Sequence, residues 1–190
     1  MAEINIYRHQ VGPARVVCGC APEISPPPGR KVLRKIQQEV KNQLLKEEGL
    51  EDKVLYDERG RPYLTGGRHI SISHSGLCAA LALAPVPVGL DIQMPDSRLI
   101  KIKDKFLAPT EKLLNPIIAD LDTLLKIWTA KEAVYKALGI PGLSFSNHLL
   151  ISGTISDTGR ATVFLPGKYL RLPLHWWRCE SLTACLTSIS

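Results

Sequence analysis

Apolar residues along this chain switch between two spacings, one suited to strands and one to helices. Residues 3–8 and 14–18 read as short strands around a Gly-Pro turn, and SPPPG at 25–29 breaks the chain. Val32, Leu33, Ile36, Val40, Leu44 and Leu45 then recur at three- and four-residue steps, predicting a helix over 30–48 with Gly49 as its stop. DERGRPYL at 57–64 is turn-like. In HISISHSG, Ile70 and Ile72 alternate with Ser71 and Ser73, which predicts a strand. LCAALALA at 77–84 is a short apolar strand, and PVPVGLDI at 85–92 starts another after its prolines. Helices are expected over 97–105, 110–119 and 121–138, the last being the longest of this half and ended by Pro141 and Gly142. From about 148, LLISGTI, ATVFLPG, YLRLPLHWWRC and LTACLTSI read as β segments separated by turn residues.

The pattern is α+β, with each half running from helix to strands. LCAAL at 77–81 is faintly echoed by LTACL at 182–186. A chain of 190 residues with 45% hydrophobic content can build one sizeable domain or two small halves.

Charge narrows the partners. The net charge of +6 favours anionic ligands, with basic clusters at 29–35 and 101–105. Clustered basic-aromatic motifs are missing, so nucleic acid is not an expected partner. The five cysteines are odd in number and contain no C-x-x-C, which predicts buried, reduced thiols in a cytoplasmic protein rather than a disulfide framework or a zinc finger. The opening MAEINIYRHQVG alternates like a strand and lacks the apolar core of a secretory leader, and no apolar run approaches the length of a membrane span. G-x-G-x-x-G, Walker A, G-x-S-x-G and H-E-x-x-H patterns do not occur.

Three places carry candidate chemistry. Asp91 interrupts the apolar run VGLDI, and an unpaired buried carboxylate is costly. It is either a strand-end Asp accepting turn hydrogen bonds or a group with a metal or a cation beside it. In IWTAKEAVYKALG at 127–139, Trp128, Glu132 and Lys136 share one side of a helix, opposite Leu124, Ile127, Ala130, Val134, Ala137 and Leu138. Glu132 and Lys136 form either an exposed i, i+4 pair or part of a phosphate and metal site. His74, in SISHSG, reads as a turn histidine, a phosphate donor or a partner of a nucleophile.

The order of these pieces resembles the 4'-phosphopantetheinyl transferase superfamily. Its signature runs G-[IV]-D-[IV]-[E], F-x-x-x-E and W-x-x-K-E-[AS]-x-x-K. The corresponding residues are Gly89-Leu-Asp91-Ile-Gln93, the segment from Phe106 to Glu111, which has four residues between Phe and Glu where the signature has three, and Trp128-Thr-Ala-Lys131-Glu132-Ala-Val-Tyr-Lys136. GRPYL and ISISHSG upstream resemble the longer, surfactin-synthetase-type members. The resemblance spans residues 59–145 and implies two similar α+β halves arranged as a pseudo-dimer, each with a helix packed on a small antiparallel sheet. Residues 1–87 would form the first half and 88–190 the second.

The resemblance also implies an activity: transfer of 4'-phosphopantetheine from coenzyme A to a serine of an acyl or peptidyl carrier protein, releasing 3',5'-ADP. Asp91 and Glu132 would bind Mg²⁺, and Glu132 or a metal-bound water would also help to deprotonate the carrier serine. Lys136 would contact the phosphates, with Lys131 a second phosphate candidate. Ser73 and His74 would hold the 3'-phosphate of coenzyme A, and Arg61 would stand near it. Gln93 occupies the position where related enzymes carry a second acid. It would offer a neutral metal ligand, and its presence keeps open a paralogue that binds coenzyme A or carrier protein without transfer. The expected protein is a cytoplasmic monomer with an acidic carrier partner. Electrostatic steering by the basic chain then predicts that raising ionic strength slows carrier modification more than it weakens coenzyme A binding. Equal effects on the two, measured by initial rates and by calorimetry, would exclude steering.

Overall fold

The computed structural model describes residues 3–114, 120–154 and 156–189. Period-two segments pair into two antiparallel sheets. In the first, β1 (Asn5–Val11), β2 (Ala14–Cys20), β5 (His69–Ser75) and β6 (Cys78–Ala84) are ordered β1-β2-β6-β5. In the second, β7 (Val88–Gln93), β8 (Leu149–Ser152), β9 (Thr158–Leu165), β10 (Lys168–Cys179) and β11 (Leu182–Ser188) are ordered β7-β11-β10-β9-β8. The turn-like segment at 57–64 carries more order than its residues predict. Val54–Tyr56 (β3) pairs with Pro62–Leu64 (β4) in a small hairpin.

Helix α1 (Arg30–Glu47) buries Val40, Leu44 and Leu45 against Val17, Ile70, Leu81 and Leu83 of the first sheet. Helix α4 (Leu121–Leu138) packs Leu124, Ile127, Ala130 and Val134 with Val163, Leu174 and Trp176 of the second. Between the two sheets lies a third cluster, in which Val16, Ala80 and Ala82 meet Leu90, Ile92, Ala184 and Leu186. The chain is therefore α+β, with each sheet covered by its own helix and the bare faces pressed together.

The faint LCAAL and LTACL echo has a topological counterpart. In the order β2-α1-β5-β6, the last strand lies between the other two, as β2-β6-β5. In the order β7-α4-β10-β11, the arrangement is again β7-β11-β10. The echoed residues begin the middle strand in both cases. Further contacts bridge the two sheets: His9 stacks on Trp177 with ring centroids 4.5 Å apart, and the Tyr7 hydroxyl donates to Glu180.

The remaining helices are α2 (Arg98–Phe106), α3 (Pro109–Leu114) and the single turn α5 (Phe145–His148). The expected helix at 110–119 is seen in its first part, and 115–119 lie outside the described residues. Asp120 caps α4, its carboxylate accepting from the backbone N–H groups of Asp122 and Thr123. The helix stops at Gly139, in the left-handed conformation at φ 62°, before Pro141 and Gly142 are reached.

The cysteine expectation needs correction. β2 pairs with β6 so that Cys20 lies directly opposite Cys78, and the two sulfurs are bonded. Two residues 58 positions apart offer no spacing signal, so only the strand register reveals the pair. Cys18, Cys179 and Cys185 are free and buried, as expected. Among the described residues, no helix is long and apolar enough to cross a membrane.

Gly89 governs how closely α4 approaches β7. A Cβ there would lie 1.8 Å from the Ala133 carbonyl oxygen and 2.7 Å from the Ala137 nitrogen. Those atoms are helix backbone and cannot rotate away. Gly89→Ala should therefore push α4 off the strand and cost about 3 kcal/mol, the upper range for overpacking. Urea unfolding measures this; an unchanged midpoint would show that the contact is looser than the structure indicates.

Candidate active site

The site is assembled where β5, β7 and α4 meet. The three serines of the HISISHS strand share one face, two residues apart. Their hydroxyls accept from alternate backbone N–H groups at the free edge of β7. Ser71 takes Leu90 at 2.9 Å, Ser73 takes Ile92 at 3.2 Å and Ser75 takes Met94 at 3.0 Å. Side chains thus replace a backbone ladder and join the sheets edge to edge. Each such neutral bond contributes about 1 kcal/mol net, but leaving the buried donors empty would cost more.

Asp91 sits in the middle of that seam and is 6% exposed. Its Oδ1 accepts from the Ser73 hydroxyl at 2.8 Å and from Lys136 Nζ at 2.8 Å. Lys136 also donates to Ser73 Oγ at 2.9 Å and to the Leu90 carbonyl at 3.0 Å. The carboxylate is therefore neither isolated nor a simple strand-end turn acceptor. Its second oxygen, Oδ2, is buried without a hydrogen-bond partner.

Glu132 lies one helical turn before Lys136. Burial, and then the negative charge of Asp91, push its carboxyl up to about 7, while Lys136 pulls in the other direction. Two carboxylates this close repel each other, and Oδ2 of Asp91 is unpartnered. That donor set suits a hard divalent cation. Gln93 follows Asp91 on the same face of β7 and, among the described residues, its side chain makes only a long 3.4 Å contact to the Met94 carbonyl. Among the described residues, no three His, Cys, Asp or Glu side chains gather into a metal cluster. A cation here would have two carboxylates, with neutral oxygens and water completing its shell.

Next to this centre is a cleft of about 420 Å³, lined by residues including Arg59, Arg61, Ile70, Ile72, Tyr135 and Lys136. Arg61 donates to the Ala137 carbonyl at 3.0 Å, filling an acceptor in the last turn of α4. Gly139 leaves room for it, since a Cβ there would lie 2.0 Å from the guanidinium. His74 is exposed and continues the face of Ile70 and Ile72 two residues further along β5. An anionic ligand in this cleft would meet Arg59, Arg61 and Lys136 together.

Two expectations change. Lys131 does not reach the cleft. It is fully buried, with Nζ 2.7 Å from Glu111 Oε2 and within 3.0 Å of the carbonyls of Phe106, Phe145 and Leu149. Five residues along a helix rotate a side chain by about 140°, so Lys131 and Lys136 leave α4 on different sides. Burial holds the Lys131 amine below its ordinary value, opposed by the charge of Glu111. Ser73 is at the site, but it is buried and its hydroxyl is already engaged by Asp91, Lys136 and Ile92. It organises the centre rather than reaching for a phosphate.

Glu111 was visible only as the acid closing the segment that begins at Phe106. Its Oε1 accepts from Ile151 N at 2.7 Å and its Oε2 from Ala108 N at 2.7 Å, so it ties α3, β8 and α4 together. Trp128 serves packing, edge-on to Phe106 and Phe145 at 5.2 and 5.8 Å between ring centroids.

Comparison with known proteins points to one family. The sequence model of the 4'-phosphopantetheinyl transferase superfamily matches residues 87–185. A 4'-phosphopantetheinyl transferase of Bacillus subtilis is 32% identical over 119 residues, covering 57% of this chain and 50% of that protein. The 4'-phosphopantetheinyl transferase gsp of Aneurinibacillus migulanus is 31% identical over 86 residues, covering 44% of this chain and 36% of that protein. The matches thus span half or less of these curated relatives.

The raised Glu132 carboxyl gives a signed pH test. Between about 4.5 and 7, the unfolded chain has released this proton and the folded chain retains it. Raising pH across that window therefore removes stability, and the loss is complete above 7. Glu132→Gln should be stabilised relative to the parent at pH 8 and gain nothing at pH 4.5. Thermal unfolding at both pH values measures the difference; a gap independent of pH would contradict the assignment.

Proposed function

The chain belongs to the 4'-phosphopantetheinyl transferase superfamily, and from that premise we propose that it transfers 4'-phosphopantetheine from coenzyme A to a serine of an acidic acyl or peptidyl carrier protein. One observation carries the reading: Asp91, Lys136 and Glu132 converge beside a cleft lined by Arg59 and Arg61. Dense negative charge on a pyrophosphate needs this combination of cations and carboxylates. Residues 1–87 and 88–190 are the two halves in this proposal, working as a cytoplasmic monomer.

Asp91 and Glu132 would hold Mg²⁺, with Gln93 as a neutral ligand. When bound, the ion would neutralise pyrophosphate charge and polarise the phosphorus under attack. Lys136 is oriented by Asp91, Ser73 and the Leu90 carbonyl, so its ammonium is held at the cleft wall before substrate arrives. The carrier serine oxygen forms a bond to the phosphorus of the phosphopantetheine arm. The bond from that phosphorus to the bridging oxygen breaks, and 3',5'-ADP leaves with the electron pair. The serine proton passes to Glu132 as general base. Lys136 stabilises the departing phosphate. Arg61 and His74 flank the 3'-phosphate end of coenzyme A.

A second reading rests on Gln93. With two acids instead of three, the protein would bind coenzyme A or carrier without transfer.

Intact-mass spectrometry of an apo-carrier incubated with coenzyme A, Mg²⁺ and this protein separates the two. Transfer adds one phosphopantetheine group, and Glu132→Ala slows it roughly 100-fold or more. Coenzyme A binding with no mass gain on several apo-carriers would select the binding reading.

A further inference from the structure

Buried polar atoms without partners are rare, and each calls for a ligand or a reason. Among the described residues, three side-chain oxygens lack a hydrogen-bond partner: Glu48 Oε2, Asp91 Oδ2 and Thr183 Oγ1. Glu48 Oε2 is answered by an ion pair with Arg15. The other two lie on adjacent strands and on one face.

The register shows this. On β7, Val88, Leu90 and Ile92 face the first sheet, so Gly89, Asp91 and Gln93 face α4. On β11, Leu182, Ala184 and Leu186 face the first sheet, so Thr183, Cys185 and Thr187 face α4. Thr183 is paired directly with Gln93, and Cys185 with Asp91. Directly paired residues carry their Cβ atoms about 5 Å apart, within reach of a Thr hydroxyl and a Gln amide. Thr183 is 1% exposed, so bulk water does not satisfy its hydroxyl. Among the described residues, the Gln93 amide is meanwhile held only by the 3.4 Å contact from Nε2 to the Met94 carbonyl, beyond the usual length of such a bond. A hydroxyl without a partner stands opposite a loosely held amide, beside a carboxylate oxygen without a partner.

We propose that Thr183 is a positioning residue for a neutral arm of the cation site, its hydroxyl accepting from the Gln93 amide nitrogen and so turning the Gln93 amide oxygen toward a divalent cation held by Asp91 and Glu132. The arrangement stands in for a third carboxylate. It satisfies both unpartnered atoms in one step: Asp91 Oδ2 by the ion, Thr183 Oγ1 by the amide. The inference deepens the proposed function and rests on its cation site, but not on phosphopantetheine transfer.

The test uses Mn²⁺ alone as the probe, titrated into the full chain without coenzyme A and followed by electron paramagnetic resonance of the free ion. Thr183→Val keeps the side chain's shape and removes the hydroxyl. It should weaken Mn²⁺ binding roughly tenfold, the lower range for loss of a group that orients a metal ligand. Thr183→Ser should restore affinity. In a Gln93→Ala background, Thr183→Val should have no further effect, because the hydroxyl acts through Gln93. A hydroxyl that is merely unsatisfied predicts the opposite pattern: Thr183→Val raises the melting temperature and leaves Mn²⁺ affinity unchanged, which would overturn the proposal. A parent protein that binds no Mn²⁺ would overturn it too. If the Val variant does not fold, Thr183→Cys, which retains only a weak hydrogen-bonding group, carries the same prediction and the same reversal. Mn²⁺ binding that depends on Thr183, in a protein that modifies no carrier, would retire the transfer reading and leave this one standing.

Discussion

A single buried carboxylate oxygen, Oδ1 of Asp91, joins the parts of this protein that matter. It accepts from Ser73 on the first sheet and from Lys136 on α4, while Asp91 itself belongs to the second sheet. A charge at 6% exposure is tolerable only with partners of this kind. Those partners require β5 to lie beside β7 and α4 to lie close above it. The serine row satisfies the first requirement and Gly89 the second. The need to neutralise one carboxylate and the need to seal a strand edge thus lead to the same arrangement.

The other buried ion pair has a different purpose. Glu111 and Lys131 are both fully inside and their bonds reach three backbone carbonyls and two backbone N–H groups. That network spans the end of α2, the start of α3, α5 and β8 around the middle of α4. Buried pairs often contribute little relative to apolar residues of the same shape, yet losing one partner leaves a charge stranded. The pair is best understood as specifying where α4 sits. Glu132, the next residue on the helix, inherits that placement. Two neighbouring side chains of one motif therefore divide the work: Lys131 locates the helix from behind and Glu132 faces the site.

Much of this was legible in one dimension. Helical spacing located α1 and α4, because amphipathic periodicity is a local property of the chain. Alternation located β1 and β5 for the same reason, and apolar runs between turn residues located β2, β6 and most of the later strands. The two small strands of the 54–64 hairpin were not legible, since three-residue segments with Gly and Pro between them carry too little pattern. Asp91, Glu132 and Lys136 stood out because charged residues in apolar or helical settings are conspicuous. Gln93 stood out as a departure from the family's pattern.

Tertiary structure decided what depends on a neighbour from elsewhere in the chain. Helix geometry separates the two lysines, but the burial of Lys131 depends on where Glu111 lies, and nothing local to α4 reveals that partner. Ser73 changed from phosphate holder to organiser because its hydroxyl is already fully engaged at β7. Cys20 and Cys78 are bonded because strand register sets them opposite each other. Thr183 had no sequence signal at all, being one threonine in an apolar strand. Periodicity and side-chain chemistry are properties of a segment and can be read along the chain. Partnership is a property of two segments at once, and only the packed structure brings them together.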